Sequence, residues 1–370
     1  MIKRKYKLTV GIPTWNRKQF LASNMEHLIK EIENESEVEI LISDNASEDG
    51  TQELCQSYQK LYSHVAYYRN PKNLGANFNF QNVIEKAQGA YVWLLGDDDK
   101  IVEGSIKEVL RKIKFHPDID MIVGGCINDH SRKRLYPPFL DHDHIFQTEI
   151  LDAYDAIRLA GKISTLIFKR ASLSHNLPAC QKTIESIRTP WPHLVWWLVV
   201  LGQGKKVLFL KAPTNYYLES SRYNMIQDGV TQNRIRIEDY ARLIIKLKQE
   251  SLIQRDLFNK LKKTISYGRA GEFIKIVAYS TFLNNYQETI QAAYRTLNVL
   301  PGVRNRFRFL LYYFLPVLLP VNFRKLLFLA PYYVFPWQEY KNFINYLNRV
   351  KQILDSKKYS ARAVFNESDL

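Results

Sequence analysis

Over its first hundred residues the chain alternates short apolar runs with longer stretches of helical spacing. "KLTVGIP" and "EVEILISDN" are β-branched runs that stop at turn formers. Between them, "RKQFLASNMEHLIKEIENE" carries Phe20, Leu21, Met25, Leu28, Ile29 and Ile32 three or four residues apart, which reads as strand, helix, strand. A second helix is expected from about Gly50, with Leu54, Tyr58 and Leu61 inward, and "VAYYRN" as a third strand. "NFQNVIEKAQG" reads as a third helix with Gly89 at its C-cap. "AYVWLLG" is apolar throughout, as a strand covered on both faces requires. The alternation implies an α/β fold: a doubly wound, mostly parallel sheet with helices on both faces and right-handed crossovers. Such sheets bind ligands at the carboxyl ends of their strands. Here those ends carry three polar clusters, "PTWNR", "SDNASEDG" and "GDDDK", which should meet in one crevice.

From Ile101 to about Tyr223 the pattern is less regular. "DIDMIVGGC", "ISTLIFKR" and "KKVLFLKAP" read as strands, "PHLVWWLVVLG" as an apolar helix, and "NDHSRKRLYPPFLDHDH" as a polar loop. From about Gln232 only helices are expected, including "EDYARLIIKLKQE", "LFNKLKKTISYG" and "EFIKIVAYSTFL". The expected division is a sheet domain over residues 1–230, with halves 1–100 and 101–230, and an all-helical region over 231–370.

Charge narrows the partners. Lys and Arg number 52 against 37 Asp and Glu, a net of +15, which favours a polyanionic partner such as nucleic acid, an anionic membrane or a phosphorylated substrate. Between Pro301 and Lys351 stand eight basic residues (Arg304, Arg306, Arg308, Arg324, Lys325, Lys341, Arg349 and Lys351) and one acid, Glu339. They flank "FLLYYFLPVLLPV" and "LLFLAPYYVFPW", 13 and 12 residues long and each broken by proline. A straight span needs about 20 apolar residues. These runs suit helices lying in an anionic membrane interface; the alternative is a buried helical hairpin with solvated charges. The segment is too apolar for a phosphate-tracking surface, so no nucleic acid is expected. Three widely spaced cysteines, Cys55, Cys126 and Cys180, make neither a disulfide framework nor a zinc pattern and suggest a reducing compartment. "MIKRKYKLTVGIP" does not read as a secretory leader.

The acids of "GDDDK" follow a buried strand directly. Carboxylates on such a turn form a hard-cation site, at which Mg2+ or Mn2+ keeps water and takes substrate phosphate oxygens to complete its octahedron. A capped, solvated turn is the alternative, but it does not account for three acids in the crevice the topology points to. Trp15 in "PTWNR" offers a flat surface for a nucleobase. Asp44 and Asn45 in "SDNASEDGT" can hydrogen-bond a base edge or ribose, while Asp49 is placed to cap the next helix. "DHDH", Asp141 to His144, would point two histidines the same way on an extended strand. Without further ligands at suitable spacing it reads as a loop and not as a second metal site.

The order "VGIPTWNR", "ILISDNASEDGT", "NPKNLGANFNF" and "AQGAYVWLLGDDDKI", in spacing as in letters, resembles the family 2 inverting glycosyltransferases of GT-A fold. "NFQNVIEKAQGAYVWLLGDDD" is similar to their abequosyltransferase-type branch, which builds bacterial surface polysaccharides such as O-antigen and capsule. The resemblance covers roughly residues 6 to 225 and is most specific over the first hundred. It implies that Pro13, Thr14, Trp15 and Asn16 line a nucleotide, with Trp15 where the family usually has tyrosine. Asp44 and Asn45 fall on a pair that is often Asp-Asp and whose second member reads uracil. Asn73 and Gly75 fall on the loop closing over the nucleotide. Asp97 and Asp99 would be the acids of the Asp-x-Asp motif, Asp99 ligating the metal directly and Asp98 lying near the ribose. Gly96 stands where many relatives have an acid. The family's base is usually an acid in a Glu-Asp pair opening a helix. Counting back from "GQGKK" puts Pro192 and His193 there instead. Proline marks a helix start, and the dipole at that end disfavours imidazolium, so a neutral His193 could take a hydroxyl proton. The alternative is a capping or packing histidine, with Glu185 and Asp143 as reserve bases. Arg222 in "ESSRYN" would be a bidentate partner for the diphosphate.

The expected activity is therefore transfer of a sugar from a nucleotide-diphospho sugar to a glycan acceptor. The resemblance implies Mn2+ or Mg2+ as cofactor and a lipid-linked acceptor, with the protein cytoplasmic and peripheral on the inner face of the cell membrane. Two other classes stay open. A nucleotidyltransferase would need a glycine-rich, basic loop after the first strand, where "GIPTWNR" has one Gly and one Arg. A non-catalytic membrane-associated nucleotide binder would fit the missing acidic base.

Overall fold

The computed structural model describes residues 6–128, 134–136, 143–146, 163–187, 189, 191–217, 240–267 and 298. Its first hundred residues run β1 (Tyr6–Thr14), α1 (Lys18–Ile32), β2 (Val38–Asp44), α2 (Thr51–Leu61), β3 (Val65–Arg69), α3 (Ala76–Lys86) and β4 (Gly89–Leu94). These are the four strands and three helices expected from the alternation. They form the parallel block β3-β2-β1-β4. All seven residues of β2 are buried, as a strand covered on both faces requires. Glu39 within it is tolerated because its carboxylate accepts the Thr9 hydroxyl at 2.6 Å and the Gln88 N–H at 2.9 Å. Helix α1 buries Leu21, Asn24, Met25, Leu28 and Ile32 along one stripe.

Then follow β5 (Lys100–Ile101), α4 (Ser105–Phe115), β6 (Met121–Asn128), β7 (Arg134–Tyr136), β8 (His144–Phe146), β9 (Leu166–Lys169), α5 (Arg170–Ser174), α6 (Leu177–Ile187), α7 (Pro192–Gly202) and β10 (Val207–Tyr217). Beyond them lie α8 (Tyr240–Gln249) and α9 (Arg255–Tyr267). Among the described residues the sheet has ten strands in the order β3-β2-β1-β4-β9-β6-β10-β5, with β7 on β6 and β8 on β10. The strand β9 departs from a simple doubly wound pattern. It is antiparallel to both neighbours, β4 and β6.

Helix α7 is buried on every side, which explains its uniformly apolar letters. Trp196 meets Phe168 of β9 edge-on, with centroids 6.3 Å apart, and Trp197 meets Phe209 of β10 edge-on at 6.1 Å. Its last residue, Gly202, lies against Ile253, where a Cβ would stand 2.6 Å from Ile253 Cγ2.

Two expectations change. Helix α3 ends at Lys86 with Ala87 as its cap, and Gly89 opens β4 instead. A Cβ at Gly89 would lie 2.5 Å from the Thr9 backbone nitrogen, so glycine is there for close approach of β4 to β1. The "NDHSRKRLYPPFLDHDH" stretch is not all loop, because β7 lies within it and β8 begins at its last residue. The chain divides into two units, Met1–Ser221 with Leu243–Lys262, and Arg222–Arg242 with Lys263–Leu370. The turn between α8 and α9 falls in the first of these units. The helix expected over "EFIKIVAYSTFL" and the segment 301–351 lie outside the described residues. No helix among the described residues is long and apolar enough to cross a membrane.

Candidate active site

The strand order puts the ends of β2, β1 and β4 side by side, so the three polar clusters do meet. Thr14 pairs in register with Asp44, and Gly11 with Leu94. Three residues after β4 ends, Asp97 is buried, with 6% of its surface exposed. The Thr14 hydroxyl donates to Asp97 Oδ2 at 2.8 Å, and Arg17 Nε stands 3.1 Å from Asp97 Oδ1. Burial pushes the Asp97 carboxyl up to about 6, against the pull of Arg17 and Thr14, and the negative charges of Asp98 and Asp99 add to the rise. Arg17 Nη2 also donates to Asp98 Oδ2 at 2.5 Å. Asp99 Oδ2 accepts the Ser164 hydroxyl at 2.6 Å, while that hydroxyl's oxygen accepts the Gly96 N–H at 2.9 Å. The Gly96 carbonyl accepts Asn24 Nδ2 at 3.1 Å. A Cβ at Gly96 would stand 3.2 Å from Asp98 Oδ1 and 3.3 Å from Asp99 Oδ2, so glycine lets both carboxylates fold back over the turn.

The three aspartates are therefore held by Thr14, Arg17 and Ser164, with Arg17 shared between Asp97 and Asp98. Among the described residues no three His, Cys, Asp or Glu side chains stand in metal-holding geometry. The donor set still fits a divalent cation, because Mg2+-type sites use one or two carboxylates and take their remaining oxygens from water and substrate phosphate.

The rest of the crevice is built from amides. Asp44 has no exposed surface. Its Oδ1 accepts the Ser47 N–H and its Oδ2 the Tyr67 hydroxyl, both at 2.8 Å. Asn45 is equally committed. Its Oδ1 accepts Asn70 Nδ2 and the Leu74 N–H, both at 2.9 Å, and its amide donates to Asn73 Oδ1 at 2.6 Å. Asn73 Oδ1 in turn accepts the Gly75 N–H at 2.9 Å. Asn45 thus braces the loop through Asn73 and Gly75, the latter at φ +84°, which suits glycine, while Asp44 braces the turn at Ser47 and Tyr67 of β3. Asn16 sits in the left-handed region at φ 52°, where asparagine is tolerated. Its N–H donates to Ser47 Oγ and its Oδ1 accepts the Glu48 N–H. Pro13 is buried in β1, whereas Trp15 beside it is 49% exposed.

On the other side, α7 begins at Pro192 as expected. His193 is buried, 7% exposed, and its ring stacks on Trp191 with centroids 6.0 Å apart. Asn77 of α3 donates from Nδ2 to the Thr189 carbonyl at 2.7 Å, tying the segment before α7 to the helix that follows Gly75. Glu185 is exposed and accepts Gln181 Nε2. Asp143 pairs with Lys112 in the last turn of α4, the end away from the acid turn, and accepts the Lys211 N–H. Arg222, Asp141 and His142 lie outside the described residues. The three cysteines are buried.

Arg17, Ser164, Asn24 and Asn79 were not singled out from the letters. Arg17 sat inside a quoted motif, but a lone arginine after a turn has no signature. Ser164 reaches Asp99 from 65 residues away, and Asn79, buried in α3, holds the Ser43 hydroxyl and carbonyl.

The profile described as "Glycosyl transferase family 2" matches residues 9–176. The chain is 40% identical over 123 residues to the abequosyltransferase RfbV of Salmonella typhimurium, covering 31% of this chain and 36% of that protein. It is 35% identical over 302 residues to the GalNAc(5)-diNAcBac-PP-undecaprenol beta-1,3-glucosyltransferase of Campylobacter jejuni, covering 79% of this chain and 89% of that protein. Among solved structures, S. aureus TarS 1-349 in complex with UDP-GlcNAc superposes with a TM-score of 0.59 at 16% identity, over 86% of this chain and 87% of that one. That likeness shows the GT-A fold. With the near-complete match to the Campylobacter enzyme, the chain belongs to the family 2 glycosyltransferases.

Proposed function

We propose that the chain moves a sugar, with inversion, from a nucleotide-diphospho sugar to a hydroxyl of a glycan carried on a polyprenyl diphosphate, in bacterial surface polysaccharide synthesis. The observation that supports this most is the acid turn Asp97–Asp99 at the β4 end, bonded to Thr14 and Arg17 at the β1 end, where Trp15 between them in sequence is exposed. Trp15 offers the base a stacking surface. Pro13 and Asn16 line the nucleotide, Asn73 and Gly75 lie on the loop that closes over it, and Asn45 holds that loop from within while Asp44 holds the turn at Ser47. Asp98 lies toward the ribose, and Arg222 is assigned to the diphosphate. Asp97 and Asp99 would hold Mn2+ or Mg2+, which when bound neutralises charge on the leaving diphosphate. His193 takes the acceptor proton. The hydroxyl oxygen bonds to the anomeric carbon as the bond from that carbon to the diphosphate breaks on the opposite face, and the nucleoside diphosphate leaves.

The undecaprenol-linked substrate in the Campylobacter relative's name supports a lipid-linked acceptor here. The basic, apolar segment 301–351 would then dock the protein on the inner membrane face, where such an acceptor lies. A transfer assay with a panel of nucleotide sugars and Mn2+ tests the reading. Asp99→Ala is expected to cut turnover by at least roughly a hundredfold while leaving the thermal transition in place. Full activity of that variant after removal of divalent metal would sink the mechanism. Nucleotide binding with no turnover of any donor would favour a non-catalytic binder.

A further inference from the structure

We infer that Arg17 is an internal countercation that a divalent ion must displace before it can use the acid turn; this rests on reading Asp97 and Asp99 as the metal-holding pair. Both oxygens of Asp97 are engaged, Oδ2 by the Thr14 hydroxyl and Oδ1 by Arg17 Nε at 3.1 Å. The same guanidinium holds Asp98 Oδ2 at 2.5 Å. Thr14 is 3% exposed and sits in the sheet, so it cannot withdraw. Arg17 can. Its side chain is 36% exposed, and its guanidinium carbon lies 4.7 Å from the centre of the Phe20 ring, itself 42% exposed. That ring is a surface on which a displaced guanidinium keeps favourable contact. Its backbone meanwhile stays fixed, because the Arg17 carbonyl accepts the Leu21 N–H in the first turn of α1.

The arrangement accounts for a feature of the turn that the acids alone do not. Three consecutive aspartates repel one another, and in the described structure the cation between two of them is supplied by the chain. Arg17 holds Asp97 and Asp98, Ser164 holds Asp99, and among the described residues no metal-holding set stands assembled. A metal ion must therefore exchange with the guanidinium. The released positive charge then lies at the mouth of the crevice, where a diphosphate would neutralise it. Metal alone should bind weakly, and a donor that accepts Arg17 should make it bind well.

Direct titration of the full chain with Mn2+, read by the electron-spin resonance of free Mn2+ without nucleotide, tests this. Arg17→Gln is expected to bind Mn2+ roughly tenfold tighter than the parent, because one positive charge leaves the site. Arg17→Lys should stay near the parent, and Arg17→Met, which keeps the apolar stem against Phe20, should follow Arg17→Gln. In the absence of metal both neutral variants should melt lower than the parent, and Mn2+ should raise their melting temperature more than it raises the parent's. Equal or weaker Mn2+ binding in both neutral variants, each still showing a cooperative thermal transition, overturns the countercation role and leaves the metal-site reading standing. Mn2+ binding that is absent throughout, or that survives Asp97→Asn combined with Asp99→Ala, overturns both.

Discussion

Asp97 has a carboxyl that burial alone would keep protonated well above its usual range, and what holds the turn together is how its neighbours are matched to it. Thr14 serves one oxygen and Arg17 the other, while the same Arg17 also holds Asp98 and Ser164 holds Asp99. The letters "GDDDK" announce negative charge but not this division. Asp49, in the neighbouring cluster, can be tested by pH. Burial raises its pKa, but the Thr51 hydroxyl and the backbone N–H groups of Lys18 and Thr51 outweigh it and set the carboxyl below its ordinary 3.8. A folded-state value below the unfolded one gives stability that is present above about pH 4 and is lost as pH falls through the depressed value. Asp49→Ala should therefore melt below the parent at pH 7, by about 1 kcal/mol as for a lost helix-start acceptor. The gap should narrow as the pH of the melt falls from about 4 through that depressed value, and a gap independent of pH would show that the carboxylate is not its source.

At the level of elements, the site depends on how closely α3 lies on β1. A Cβ at Gly11 would stand 2.0 Å from Val83 Cγ1, and α3 carries the Asn79 that braces Ser43 and the Asn77 that reaches Thr189. Gly11→Ala should cost about 1–3 kcal/mol as overpacking, measured by chemical denaturation, and should weaken donor binding by displacing the loop before the helix. Removing the clash with Val83→Ala in the same chain should recover part of that stability. A double variant no more stable than the sum of the single losses would show the contact to be incidental. The existence of α3 was legible from its spacing, but its end was not. Gly89 looked like a helix stop, and it is glycine because β4 crosses Thr9 too closely for a side chain. Likewise "ISTLIFKR" was legible as a strand, but its antiparallel insertion beside β4, which delivers Ser164 to Asp99, was not. Strand order is set by pairing across the sheet, and local letters do not encode it.

For the whole molecule, the net charge of +15 is concentrated where the proposed membrane docking would use it, with +7 between residues 301 and 351. Sedimentation of the full chain with vesicles should rise with the content of anionic lipid and fall with salt. Replacing Arg324 and Lys325 by Gln together should weaken vesicle binding by about tenfold or more, at roughly 1 kcal/mol per basic residue near such a surface. Binding that ignores both substitutions and lipid charge would remove the interfacial reading. By itself the sequence determined the α/β class, the strand ends that carry the chemistry and the family, because period, turn residues and motif spacing are local properties. Tertiary structure alone decided what those residues face. It turned Asp44 and Asn45 inward as braces, set Arg17 between two aspartates and brought Ser164 to the third. Those contacts join residues 65 to 83 positions apart at the acid turn, and they exist only once the sheet has fixed which strand ends are neighbours.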